Sequence, residues 1–250
     1  MARDIPEINA GSMADIAFLL LIFFLVTTTM DKDQAYIRSI PKKIETTIPP
    51  VPVEQRCIMA IKANNKNQLM VRDEIMTDRD KISERIVEFY TKNEKITGTN
   101  INNFPLYTFS SMAYINKKID ETIARTEMME AEEYSDEMIE FTYSQLAEWE
   151  KKKRALKLYG ASTLPEVDQT ANIRIEVQTA TNYGLFSKIH SEIQEGIYEL
   201  RNKEALRLFE ESYAVIEKRF NQDENNEDRQ KLDLLEILYP ARIIEVTPKQ

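Results

Sequence analysis

The sequence predicts an α+β protein: a single N-terminal transmembrane helix precedes a domain in which a small sheet packs with helices and carries a long helical insertion. Three observations support this prediction. Residues 13–30 form an almost unbroken apolar run, strand-like and helix-like apolar spacings alternate from residue 55 onward, and residues 112–158 are polar with apolar positions at helical intervals. The chain has 250 residues, of which 42% are hydrophobic, and this is enough to form a buried core.

Composition excludes several classes of function. Cys57 and His190 are the only cysteine and histidine, so a structural zinc site or an internal disulfide lacks ligands. The five glycines form none of the motifs of nucleotide-binding proteins or α/β-hydrolases. The net charge of -9 disfavours nucleic acid as a partner. We therefore expect no enzymatic activity, no metal and no cofactor. We expect His190 to be a structural or surface residue and Cys57 to be a buried thiol, with a dimer cross-link through Cys57 as the alternative.

Residues 13–30, MADIAFLLLIFFLVTTTM, are long enough to cross a membrane. As a helix they rise roughly 27 Å, close to a hydrocarbon thickness of about 30 Å. Two alternatives are a cleavable signal peptide and a buried core helix. The residues before the run lack the net positive charge of a signal peptide, and residues 16–26 contain no polar group. A permanent membrane anchor is therefore the favoured interpretation.

Asp15 is the only ionisable residue in this run. A carboxylate in the bilayer costs roughly 2.5–3.5 kcal/mol on insertion scales, so such groups usually face protein or water and have a function. Because loss of water favours the uncharged form, Asp15 could take up a proton from one side and release it to the other; the alternative is that it only caps the helix. On a helix it shares a face with Phe18, Leu19, Ile22 and Val26. We expect this face to pack against a second copy or a partner's helices.

The predicted linker and folded domain come next. Residues 31–54 contain four prolines and no apolar periodicity, which is typical of an extended spacer. Residues 56–72 predict a β-hairpin with an Asn-rich turn, and Asp78 is the predicted N-cap of a helix over residues 79–92. Residues 172–179 alternate as a strand that joins the hairpin's sheet. The last predicted elements are helices over 183–220 and 231–238 and a strand over 241–246.

Within the predicted domain, 55–250, residues from about 96 to 165 form an insertion. A helix is predicted over residues 112–158, with a bend or a break near Tyr134-Ser135 and a stop at Gly160 and Pro165. Eleven acidic residues lie between Asp120 and Glu150, against Arg125 alone. The acidic face of this segment is either a docking surface for a basic partner or a solvated helix face.

The N-terminal residues resemble the membrane span of the ExbD/TolR family of biopolymer transport proteins. The shared pattern is an Asn before the span, an Asp at its start, a Leu-Leu-Ile-Phe-Phe run and a Thr-rich exit, here Asn9, Asp15, residues 20–24 and Thr27 to Thr29. Ser12 stands where many members have proline, and Gln178 where the family often has aspartate. Residues 182–202 resemble long-domain, Bacteroidetes-type members. The resemblance is strong over residues 8–30, weaker over 55–92 and 172–246, and nearly absent over 93–171.

The resemblance implies a bacterial inner-membrane protein with residues 1–12 in the cytoplasm and the C-terminal domain in the periplasm. It also implies a self-dimer within a pentamer of a polytopic ExbB/TolQ-like partner, with Asp15 as the proton-carrying residue. The domain would engage a TonB-like transducer or the cell wall and couple the protonmotive force to an outer-membrane process, above all TonB-dependent transport. Charge favours the opposite orientation, because four basic residues closely follow the span and only Arg3 precedes it. The alternative is a membrane-tethered periplasmic binding or scaffold protein with no proton-conducting role.

Overall fold

The computed structural model describes residues 17–23, 53–95, 102–178 and 180–246. The chain divides into two compact units, Met1–Pro50 and Val51–Gln250. In the first unit, helix α1 includes residues 17–23. The second unit combines helices with small sheets, so the predicted α+β class is confirmed for it.

The second unit contains the following elements in its described residues. The strands are β1 Ile58–Ala63, β2 Leu69–Val71, β3 Glu74–Met76, β4 Tyr107–Ser111, β5 Thr163–Val167, β6 Asn172–Val177 and β7 Ile243–Val246. The helices are α2 Ile82–Thr91, α3 Met112–Ala131, α4 Asp136–Tyr159, α5 Tyr183–Phe209, α6 Tyr213–Asp223 and α7 Asn226–Leu238.

Five strands form a mixed sheet in the order β3-β2-β1-β6-β7. β1 and β2 pair antiparallel, which confirms the predicted hairpin, and β3 extends it as a strand that the sequence pattern did not predict. β6 runs parallel to β1 with Ile175 opposite Ile61, as expected for a strand joining the same sheet, and β7 runs parallel to β6. Alternate β1 residues, Met59 and Ile61, are buried, so one face of the sheet lies against the core.

Helices α2 and α5 pack together in the same core as the sheet. Ile86 of α2 and Ile189 and Ile193 of α5 are fully buried. Gly196 allows the two helices to approach closely, because a Cβ at this position would lie 2.9 Å from both the Cβ of Ile86 and the backbone oxygen of Ser83. Glycine at this point therefore sets the spacing of the helix pair.

The predicted cap of the first domain helix is confirmed with a small shift. The side chain of Asp78 accepts a hydrogen bond from the backbone N–H of Asp80. A 3-10 turn, Arg79–Lys81, comes first, and the α-helical part begins at Ile82. The last predicted strand begins at Ile243, two residues later than expected, and the last helix begins at Asn226, five residues earlier than expected.

The single helix predicted over residues 183–220 is wrong. α5 ends at Phe209 because Glu210 adopts a left-handed conformation with φ 57°, and α6 begins at Tyr213. The backbone N–H of Tyr213 donates to the side-chain oxygen of Asn202, which holds the turn. The break allows Ile216 to pack against Ala205 in a second apolar cluster. The sequence here has no glycine or proline, so burial of Ile216 outweighed local helical preference.

The C-terminal helices are joined by an ion-pair network around Asp228, which is only 2% exposed. Arg219 donates to both carboxylate oxygens of Asp228 at 2.6 Å and also to Glu211. These hydrogen bonds lower the pKa of Asp228 to about 2. The network therefore fixes α6 against α7.

Cys57 and His190 have the structural roles that the sequence predicted. Cys57 is a buried free thiol in the apolar core, and burial raises its pKa. His190 lies on α5 with its side chain largely covered, and its Nε2 atom is 3.2 Å from Oε1 of Glu245 on β7. Its ring also contacts Phe186. His190 therefore links α5 to the edge of the sheet.

Candidate protein-interaction sites

The N-terminal helix α1 presents apolar side chains along the face predicted for Asp15. Phe18, Leu19 and Ile22 are helical and 58%, 59% and 42% exposed. Asp15 and Val26 lie outside the described residues. The spacing of the three described residues places them on one side of the helix, as predicted. Leu20, Leu21 and Phe23 are also 50%, 64% and 60% exposed, so the described part of α1 is apolar on all sides and is one candidate surface for contact with other helices.

No helix within the described ranges is both long enough and apolar enough to cross a membrane.

The predicted insertion is a helical hairpin closed by a small sheet. Of the bend or break predicted near Tyr134-Ser135, the structure shows the break: residues 112–158 form two helices, α3 and α4, and the chain reverses between them. Gly160, with φ 74°, ends α4 as predicted. The strands that enter and leave the hairpin, β4 and β5, pair antiparallel with Phe109 opposite Pro165. Neither strand was predicted, because Pro165 indicated only a helix stop.

A buried ion pair anchors the base of the hairpin. Glu166 of β5 is 8% exposed and accepts a hydrogen bond from the hydroxyl of Ser110 on β4 at 2.9 Å. Lys152 of α4 forms a salt bridge with the same carboxylate, and its ammonium lies 4.8 Å from the ring centroid of Trp149. The hairpin therefore leaves the domain from a fixed base.

Farther out, the helices of the hairpin meet along a threonine seam, formed by Thr122, Thr126 and Thr142, all buried. The hydroxyl oxygens of Thr126 and Thr142 lie 3.1 Å apart. Thr126 also donates to the backbone oxygen of Thr122, and Thr142 to that of Ile139. The outer part of the hairpin thus combines these buried threonines with the buried apolar side chain of Met129.

One side of the hairpin carries carboxylates around exposed apolar groups, and we call it the acidic face. The hydroxyl of Tyr143 on α4 donates a hydrogen bond to Glu130 on α3 at 2.6 Å. This bond connects the two helices on this side of the hairpin. Ile123 and Tyr143 are 38% and 49% exposed. The other members of the face lie at intervals of three, four or seven from these residues along each helix and are therefore on the same side of it. The acidic face consists of Asp120, Ile123, Glu127, Glu130, Asp136, Ile139, Glu140 and Tyr143.

The acidic face lacks internal counter-ions. The salt bridges of the hairpin involve Glu121, with Lys117 and Lys118, and Glu150, with Arg154. In the part of the chain that the structure describes, no lysine or arginine forms a salt bridge with a carboxylate of the acidic face. The hydrogen bond to Glu130 raises the pKa of Tyr143.

The opposite side of the hairpin differs in charge. There a groove of about 900 Å³ runs between the hairpin and the rest of the domain, with the rings of Tyr114, Phe141 and Trp149 in its wall. Tyr114 and Trp149 meet edge to face at 6.0 Å. Acidic and basic side chains alternate along this groove, including Arg125 and Glu148. The groove therefore carries charges of both signs, whereas the charged residues of the acidic face are all carboxylates.

The position where the family often has aspartate is structural in this chain. The side-chain oxygen of Gln178 accepts the backbone N–H of Asn65 at 2.9 Å, and the backbone N–H of Gln178 donates to the backbone oxygen of Ala63. Gln178 thereby fastens the turn between β1 and β2 to the end of β6. Tyr183, five residues later, is 79% exposed.

Across the described residues, no group of three or more histidine, cysteine, aspartate or glutamate side chains is arranged to hold a metal ion.

The structure thus combines an apolar helix in one unit with an α+β domain that carries a charged hairpin in the other. The family model for biopolymer transport protein ExbD/TolR matches residues 1–201. This is most of the chain, so the chain belongs to the ExbD/TolR family, and the predicted resemblance is confirmed. Membership implies an energy-transduction subunit of biopolymer transport. Searches of curated proteins and of solved structures gave no significant match.

The sequence pattern located the acidic segment but did not predict which residues of its two helices form the acidic face. Helical spacing alone places Ile123, Glu127 and Glu130 together on α3, so half of the acidic face was visible in the sequence. Its pairing with Tyr143 depends on where the chain turns between the two helices. The sequence located this turn near Tyr134-Ser135, but spacing within one helix does not specify which residues of the two helices then face each other.

Proposed function

We propose that this chain is the proton-carrying subunit of an inner-membrane motor that couples the protonmotive force to an outer-membrane process, specifically TonB-dependent transport. The family match over residues 1–201 carries the proposal, because this range contains Asp15 and the apolar run 13–30. Asp15 takes up and releases the proton. The rest of the chain transmits the resulting movement.

The chemistry of the N-terminal run supports a shared membrane bundle. A lone helix cannot shield a carboxylate from lipid, and Phe18, Leu19 and Ile22 leave an apolar side of α1 uncovered. A self-dimer within a polytopic ExbB/TolQ-like pentamer would cover this side and enclose Asp15. One charge crossing 100 mV supplies about 2.3 kcal/mol, which is sufficient to shift a conformational equilibrium.

In this proposal residues 1–12 lie in the cytoplasm and the α+β domain in the periplasm. The domain engages a TonB-like transducer or the cell wall. Its exposed helical hairpin supports a role in contact, since the hairpin projects charged and apolar side chains from a base anchored by Glu166.

Replacement of Asp15 by Asn tests the proposal directly. The amide keeps the size of the side chain but cannot exchange a proton at neutral pH, so we expect energised uptake through the outer membrane to fall at least about tenfold. Asp4→Asn, outside the apolar run, is the matched control and should leave uptake unchanged. Both variants are made in the full chain with its partner, and immunoblots and co-purification verify assembly. Normal uptake by an assembled Asp15→Asn protein would disprove the proton role.

The second candidate is a membrane-tethered binding or scaffold protein. The acidic face favours it, because that surface belongs to the domain and requires only an anchor upstream. In this case Asp15→Asn has no effect, and an unrelated transmembrane helix can replace residues 13–30 without loss of function. The same uptake assay on the helix-swapped chain distinguishes the two candidates.

A further inference from the structure

The acidic face combines exposed apolar side chains with a cluster of carboxylates. Ile123 and Tyr143 are large, partly apolar and exposed, and five carboxylates surround them without a salt bridge in the described residues. Clustered like charges repel, so this face raises the free energy of the isolated domain.

A ligand for this face must be cationic and partly apolar. Cations would offset the mutual repulsion of the carboxylates, and apolar side chains would cover Ile123 and the ring of Tyr143. A second copy of the same face would bring the same charges together, so a symmetric contact between two acidic faces is disfavoured. The groove on the other side of the hairpin carries charges of both signs and therefore does not favour a cationic ligand in the same way.

We propose that the acidic face docks a lysine- and arginine-rich amphipathic segment of a partner protein along the outer half of the hairpin. The stretch of α3 from Asp120 to Glu130 rises roughly 16 Å, which matches about three turns of a partner helix. Apolar side chains of the segment lie against Ile123 and Tyr143, and its cations lie against the flanking carboxylates. This docking does not depend on the role of Asp15.

Photo-crosslinking in intact cells identifies the occupant. A photoreactive amino acid replaces Ile123 in the full chain, and a second variant carries it at Met128, which is also exposed but lies five residues away, on another side of α3. We expect crosslinks at position 123 to another protein, at a peptide in which lysine and arginine outnumber acidic residues. Crosslinks to a second copy of this chain, to an acidic or neutral peptide, or equally at both positions would overturn the proposal.

A charge-neutralised variant tests the electrostatic part on the purified full chain in detergent. The probe is a fluorescent 14-residue peptide of lysine and leucine at helical spacing. Glu127→Gln/Glu130→Gln/Glu140→Gln should weaken its binding about tenfold, since three exposed charge contacts are lost. The matched triple Glu148→Gln/Glu195→Gln/Glu199→Gln alters net charge equally, outside the acidic face, and should change affinity less than twofold. Equal weakening by both triples would mean attraction to overall charge and would refute the site.

A second pair of variants tests the apolar part of the proposed contact. Ile123→Ser should weaken binding of the same peptide several-fold, whereas Met128→Ser should not, because only Ile123 belongs to the acidic face. Thermal unfolding by circular dichroism verifies that each variant keeps the fold of the parent chain. Unchanged affinity in a folded Ile123→Ser protein would contradict an amphipathic partner.

Discussion

The two helix pairs of the domain differ in what lies between them. α2 and α5 pack through Ile86 and Ile193, which are fully buried, and Gly196 brings the helices close together. In the outer half of the α3 and α4 pair, Thr126 and Thr142 meet, and Met129 of α3 is also buried. Close apolar packing fixes the first pair in the core, whereas the polar seam holds the second with less buried apolar surface. The outer half of the hairpin therefore lies away from the core, with two sides exposed.

The C-terminal helices and the hairpin also differ in how their carboxylates are paired. Beyond the core helices, Arg219 and Lys231 satisfy Asp228 and its neighbours. On the acidic face the carboxylates have no such partners among the described residues. The Asp228 network is thus internally compensated, and the acidic face is not.

Gly196→Val should have the largest effect on stability. The added carbons would overlap Ile86 and the backbone of Ser83, so the two helices must move apart, and we expect a loss of about 3 kcal/mol. Urea unfolding of the full chain in detergent measures it. Ala124→Val, on the exposed side of α3, is the control and should cost less than about 0.5 kcal/mol. A stable Gly196→Val protein would mean that the core pair is not closely packed.

Asp228→Asn should have the next largest effect, and its size should depend on pH. The folded pKa of about 2 lies below the ordinary value of 3.8, so the ionised group stabilises the fold above pH 4, and this stability is lost as pH falls toward 2. We expect a loss of about 2 kcal/mol at pH 7 and about half of that at pH 3. Urea unfolding at both values, with the exposed Asp223→Asn as control, measures the difference. A pH-independent loss would contradict the role of the charge.

Thr126→Val/Thr142→Val should have the smallest effect. Both hydroxyls are removed together and replaced by groups of similar shape, so no buried polar atom of the pair is left unpartnered. We expect a gain of up to about 1 kcal/mol, confined to the hairpin. Hydrogen exchange should slow in residues 118–146 and remain unchanged in α5, which serves as the internal control. Faster exchange in the hairpin would show that the threonine seam stabilises it.

Prediction from sequence succeeded where a local pattern was sufficient. Asp78, the turn between β1 and β2, and Gly160 each mark a boundary through their own backbone chemistry. The prediction of one helix over residues 183–220 failed at Glu210, where the chain adopts a left-handed conformation without a glycine. This break depends on the packing of Ile216 against Ala205, which is not a local property of the sequence. The role of Asp15 is still a prediction, because it lies outside the described residues.

The apolar run with its single carboxylate, the excess of acidic residues over 120–150 and the family resemblance are properties of the sequence itself. They follow from residue type and spacing, which are local. The tertiary structure decided which strands share a sheet, that residues 112–158 fold back into a hairpin, and that Tyr143 meets Glu130. These features depend on contacts between residues distant in the chain, which form only when the whole domain buries its core.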